Sequence, residues 1–198
     1  GEVVESQRVH SVHSLAKLTG DHPKTINRAV VLSGLMEGDP DKVSANNVFY
    51  AKAGEILMER IRTSIPVKHL PEYFNCNRVQ AEQLVRTGVI PRLIPDAENV
   101  NGVLKQVAQD DADAFLAHLM GAASMVKVAS KNTTDIVSAS EIARWPVIEI
   151  VNGILAGLFG TVELVDPSLK FKGILVDPIE VREALAREKS QGRVGLDE

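Results

Sequence analysis

The stretch Leu15–Leu35, LAKLTGDHPKTINRAVVLSGL, decides the reading of the fold. Asp21-His22 breaks an apolar pattern of helical spacing. Pro23 suits a helical first turn, where its missing N–H would lack a partner anyway. Helices are therefore expected over Val12–Gly20 and Pro23–Leu32, with Ser33-Gly34 as the stop. A helix-turn-helix makes three demands: a small residue where the helices cross, a turn residue tolerant of left-handed dihedrals, and an apolar residue locking the second helix. Ala16, Gly20 and Ile26 meet them at the separations the motif uses.

Working outward, Glu37–Lys42 (EGDPDK) reads as a loop, and Ser44 as the cap of a helix running to about Ile61. A looser copy of the pattern follows Pro66. Val67–Phe74 is short and helical, Asn75-Cys76-Asn77 turns, and Arg78–Thr87 is amphipathic and closed by Gly88. Leu70 stands where Leu15 stood, Asn75 replaces the turn glycine, and Ala81 takes the locking place. Pro71 fits only if the helix begins there.

Past a loop at Asp96–Asn101, a helix is expected over Asp110–Ala123, then a third pair over Ser140–Trp145 and Ile148–Leu155, capped at Ser138. Val162–Val165 and Gly173–Val176 have the character of short strands forming a wing, with Lys170 and Lys172 at its tip. A last helix is expected over Ile179–Glu188, and a disordered tail after it. The fold class is thus mainly α, with tandem helix-turn-helix units and a small β-hairpin wing in the C-terminal part. Residues 1–95 form one domain and 96–198 a second.

In a helix-turn-helix the exposed face of the second helix enters the major groove. The first unit offers His22, Lys24, Thr25, Asn27 and Arg28 there; the second offers Asn77, Arg78, Gln80, Gln83 and Arg86. Asn, Gln and Arg match base edges, and Lys and Arg also neutralise phosphates. Charge divides the chain accordingly. Residues 1–94 hold 12 Lys/Arg against 10 Asp/Glu, whereas residues 95–198 hold 10 against 16. The net charge of −4 argues against strong nonspecific DNA binding and places any phosphate-facing surface in the N-terminal half. The third pair, with Glu141 and Glu149 exposed, reads as a packing or partner-binding element.

Other chemistries find little support. The chain contains no GxGxxG, P-loop, HExxH or GxSxG motif, so no enzyme is expected. His10 and His13 could share a helix face, but no cysteine or carboxylate cluster accompanies them. Asp110, Asp111 and Asp113 are explained by helix capping and the helix dipole. No cofactor, metal or small-molecule substrate is expected. The single cysteine, Cys76, excludes an intrachain disulfide and fits a reducing cytoplasm. No apolar run reaches the ~20 residues of a membrane span, and no signal peptide is visible at the start. The opening Gly1, with no Met, reads as a cleavage scar or an internal boundary, so a missing upstream part is an expectation.

Leu15–Leu35, Ser64–Leu93 (SIPVKHLPEYFNCNRVQAEQLVRTGVIPRL), Asp111–Leu119 (DADAFLAHL) and Lys172–Leu185 (KGILVDPIEVREAL) together resemble the TniQ/TnsD-type transposon targeting proteins, in the region after their zinc finger. The resemblance implies a bacterial, non-catalytic factor that recognises double-stranded target DNA and recruits a transposition AAA+ ATPase or transposase. It implies DNA-side roles for Lys24, Thr25, Asn27, Arg28, Asn77, Arg78, Gln80 and Gln83. The paired cysteines of the family's zinc-binding region are absent, so either the chain begins after it or this is a zinc-free relative. Two rival readings stand beside it: a helix-turn-helix transcription regulator, and an adaptor whose helical hairpins contact only protein.

Overall fold

A computed structural model describes residues 8–94 and 102–194, without the side chains of Val103, Arg193 and Val194. The chain is mainly helical, with small sheets. It divides into two compact units: Gly1–Pro66 with Pro91–Gln109, and Val67–Ile90 with Asp110–Glu198. The expected boundary at residue 95 is therefore corrected. It falls within the first unit, and the second helical pair belongs with the C-terminal half.

In the first unit, strand β1 (Val9–Ser11) leads into α1 (Val12–Thr19) and α2 (Pro23–Leu32). Ser11 starts α1 through a capping box: its hydroxyl accepts from the Ser14 N–H at 3.2 Å, and its own N–H donates to Ser14 Oγ at 2.9 Å. Gly20 ends α1 at φ 78°, in the left-handed region that favours glycine, and its N–H donates to the Ala16 carbonyl. Helix α2 begins at Pro23, as the sequence indicated. Val12, Leu15, Ile26, Ala29 and Val30 interlock in the core with no exposure.

The stretch after the loop departs from expectation. Val48–Tyr50 is strand β2, antiparallel to β1 with Val9 opposite Tyr50, and α3 starts only at Ala51 and runs to Arg62. Val48, Phe49 and Tyr50 alternate out, in and out, the period of a strand, and β-branched and aromatic residues favour it. Phe49 lies so close over Gly54 that a Cβ there would sit 2.9 Å from its Cδ2. Leu93, Ile94, Leu104 and Ala108 return to this core, and Ile65 and Val107 pair as an antiparallel bridge.

In the second unit, a 3-10 turn (Val67–His69) precedes α4 (Leu70–Phe74) and α5 (Arg78–Arg86). Pro71 is tolerated because α4 begins at Leu70, which puts the proline in the first turn. Asn75 makes the turn at φ 56°. Then come α6 (Gln109–Gly121), β3 (Ser124–Met125), β4 (Thr134–Asp135), α7 (Ile136–Ala143), α8 (Val147–Leu155), β5 (Val162–Leu164), β6 (Ile174–Val176) and α9 (Pro178–Val194).

The strands form one sheet in the order β3-β5-β6-β4, so the pair β5–β6 is flanked on both sides rather than standing free as a two-stranded hairpin. Asp135, not Ser138, caps α7, its carboxylate accepting from the Ser138 N–H at 3.0 Å. Helix α9 continues beyond Glu188, with Lys189 over the ring of half-buried Trp145, so residues 189–194 are helical rather than disordered.

Burial explains why α4 and α5 join this unit. Leu70, Phe74, Ala81 and Leu84 are almost wholly buried. Phe74 meets Phe115 of α6 edge to face with ring centroids 5.3 Å apart, and α5 packs on α8. Two polar ties reinforce the packing. Asn75 Nδ2 donates to the Leu169 carbonyl at 2.9 Å, and Lys170 Nζ donates to the Tyr73 carbonyl at 2.8 Å.

Candidate nucleic-acid interface

The expected DNA-side residues of α2 fall into two groups. His22 caps the helix, its Nδ1 accepting from the Lys24 N–H at 3.2 Å, and its ring remains exposed together with Lys24. Thr25 and Arg28 are half-buried, and Arg28 is paired with Asp41 from the loop that follows. Asn27 is different. Only 1% of its surface is exposed, and its amide Nδ2 faces the carbonyls of Asp39, Pro40 and Lys42 at 3.0, 2.9 and 3.3 Å. This corrects its assignment to an exposed face: Asn27 staples the EGDPDK loop to α2.

Helix α5 divides in the same way. Asn77 and Gln80 form a reciprocal capping box, with the Gln80 N–H on Asn77 Oδ1 at 2.9 Å and the Asn77 N–H on Gln80 Oε1 at 3.0 Å. Gln80 is buried, so its place among exposed base readers is also corrected. The side chain of Asn77 is committed to the cap although the residue is exposed. Arg78, with 82% of its side chain exposed, pairs with Glu82 one turn on at 2.7 Å. Gln83 is half-buried and Arg86 exposed.

The lysines expected at the wing tip also separate. Lys170 is held against Tyr73, while Lys172 is exposed beside an open cleft of about 420 Å³ lined by Asn75, Asn77, Asp135 and Phe171. Cys76 lines the same cleft, and burial pushes its thiol up to about 11. Burial also pushes Asp135 upward, but hydrogen bonds from the Ser138 N–H and hydroxyl outweigh it and hold the carboxyl below its ordinary value.

Two features went unread in the sequence. Asp41 sits against Arg28, so the cationic face of α2 carries its own carboxylate partner. Glu163, in the middle of β5, is 9% exposed and accepts from Ser130 N–H at 2.9 Å, from the Ser130 hydroxyl and from Thr133 Oγ1 at 3.4 Å. The Ser130 hydroxyl and the other two donors hold this carboxyl below its usual range. A strand glutamate flanked by Val162 and Leu164 gives no sign of such partners 30 residues away.

His10 does not share a helix face with His13. It lies in β1, with its ring nitrogens on Ser14 Oγ at 3.0 Å and Glu55 Oε1 at 3.1 Å. Among the described residues no group of three or more His, Cys, Asp or Glu is placed to hold a metal ion, and no helix is long and apolar enough to cross a membrane. Compared with protein-family models, curated proteins and solved structures, the chain matches none.

Proposed function

We propose that the chain is a non-catalytic DNA-binding protein built on helix-turn-helix pairs, serving as a targeting and recruitment factor of a mobile element. The observation that carries this reading is the pair α1–α2. A left-handed Gly20 joins two short helices, Ile26 locks them, and the open side of α2 presents His22, Lys24, Thr25 and Arg28. The pair α4–α5 repeats the arrangement with Asn75 at the turn and Ala81 in the lock, and presents Arg78, Gln83 and Arg86.

The third pair supports a different role. Helices α7 and α8, joined through Arg144 at φ 58° and followed by β5 and β6, follow the order of a winged helix. Helix α8 carries Glu149 in its first turn and packs against α5, which suits a scaffold rather than a DNA reader. Recruitment of a transposition AAA+ ATPase or transposase rests on the family resemblance of the sequence. The adaptor reading is favoured for the second half by its 16 acids against 10 bases over residues 95–198.

The site is tested by substituting Arg28 and Arg78 by Ala separately and titrating a labelled duplex at low salt. A base-reading arginine should cost ~1–3 kcal/mol, roughly 5–150-fold in affinity. Unchanged affinity in both variants would refute the assignment of these helices as readers.

A further inference from the structure

The segment between β3 and β4 runs as a strap over the sheet. It leaves β3 beside Leu164, where the Val126 N–H donates to the Leu164 carbonyl, and rejoins β4 beside Val176. Its inner side is pinned. Glu163 takes the Ser130 N–H and hydroxyl and the Thr133 hydroxyl, and Asn132 Nδ2 donates to Asp177. The carboxylates of Glu163 and Asp177 are thus turned to holding the strap in shape, while Asp135, just beyond it, caps α7.

Its outer side is basic. Residues 124–133, SMVKVASKNT, contain Lys127 and Lys131 and no acid. Both lysines are exposed, and among the described residues neither makes a hydrogen bond or ion pair. Val128 between them is 82% exposed. This is the reverse of the surrounding segment, since Ser138–Ala186 holds four basic residues against seven acidic ones.

We propose that the strap 126–133 is a second phosphate-contacting surface for double-stranded DNA, with Lys127 and Lys131 as the contacts. The inference rests on the DNA-binding reading above and adds to it a surface in the half of the chain otherwise suited to protein. Two unpaired ammonium groups on a rigid backbone neutralise phosphates without ordering a mobile loop first. They contact no base edge, so the contribution is independent of sequence. An anionic lipid surface would use the same charges. It calls for a broad apolar face, however, and the large apolar side chains exposed here are the isolated Val128 of the strap and Met125 at the end of β3.

The test uses the whole chain with Lys127 and Lys131 both replaced by Ala, and a control with both replaced by Arg. Binding to duplexes of two unrelated sequences is measured across a salt series. The double Ala variant should lose affinity equally for both duplexes, and its slope of log affinity against log salt should fall by about 2, at ~0.9 for each phosphate contact. The Arg variant should keep the wild-type slope. If wild type binds and the Ala variant retains both affinity and slope, the strap proposal falls while the helix reading stands. If wild type binds no duplex, both fall. Binding to phosphatidylserine vesicles that the Ala substitutions abolish, with duplex affinity unchanged, would also overturn the proposal in favour of a lipid.

Discussion

Replacing Asn27 by Ala separates a structural amide from a base-reading one. Nδ2 carries two hydrogens, so of the carbonyls of Asp39, Pro40 and Lys42 at 3.0, 2.9 and 3.3 Å, two at most are well served at once. At about 1 kcal/mol net for each bond, the loss is about 2 kcal/mol. Two effects reduce it. Asn27 Oδ1 is buried without a hydrogen-bond partner, so deleting it removes a desolvation cost. Asp39 and Lys42 are exposed, so water can reach the abandoned carbonyls. The expected destabilisation is therefore ~1–2 kcal/mol. With a urea dependence of about 2 kcal/mol/M, the midpoint falls by ~0.5–1 M. Circular dichroism would follow the melt, with fluorescence of Trp145, in the other unit, as an internal reference. Measured where the variant is folded, duplex affinity should change little. An unchanged midpoint with a large loss of duplex affinity would refute the staple and return Asn27 to the groove.

Two further outcomes follow from the titrating groups. Glu163 has its pKa lowered in the folded chain, so its contribution is present above the unfolded carboxylate value and is lost as pH falls through the folded one. Stability of wild type should therefore drop on acidification below the ordinary glutamate range, and Glu163→Gln should flatten that drop; equal acid sensitivity in both would contradict the pinned carboxylate. Cys76, pushed up by burial to about 11 against an ordinary 9.0, should be alkylated at neutral pH at least roughly 10-fold more slowly than a free thiol of the usual pKa. The lower thiolate fraction is only partly offset by the greater nucleophilicity of the more basic thiolate, and a rate matching the free thiol would contradict its burial.

The residues that were legible share one property: they act on their immediate neighbours. Pro23, Gly20 and Gly88 fix local dihedrals, and the limits Pro23–Leu32 follow from Pro23 at one end and Ser33-Gly34 at the other. The features that escaped depend on distant partners. Ser44 looks like a cap, but Phe49 is drawn into the core beside Gly54 and β2 pairs with β1, 39 residues earlier at Phe49–His10, so the helix starts later. Ser124–Met125 and Thr134–Asp135 are too short to show an alternation and become strands only because β5 and β6 offer them edges. At the candidate site, the same sequence logic selected Asn27 and Gln80 because amides match base edges. Composition cannot say whether such an amide faces water or a backbone carbonyl. In both helices the charged residues stay outside, and the neutral amides nearest the core are used up in holding loops and caps.

The central claim, that α2 and α5 face DNA, is tested most directly by titrating the wild-type chain with a labelled duplex across a salt series. Lys24, Arg28, Arg78 and Arg86 should contribute about −3 to −4 to the slope of log affinity against log salt, at ~0.9 for each phosphate neutralised, and the strap lysines, where they also contact phosphate, about −2 more. No binding at low salt, or an affinity indifferent to salt, would contradict the account.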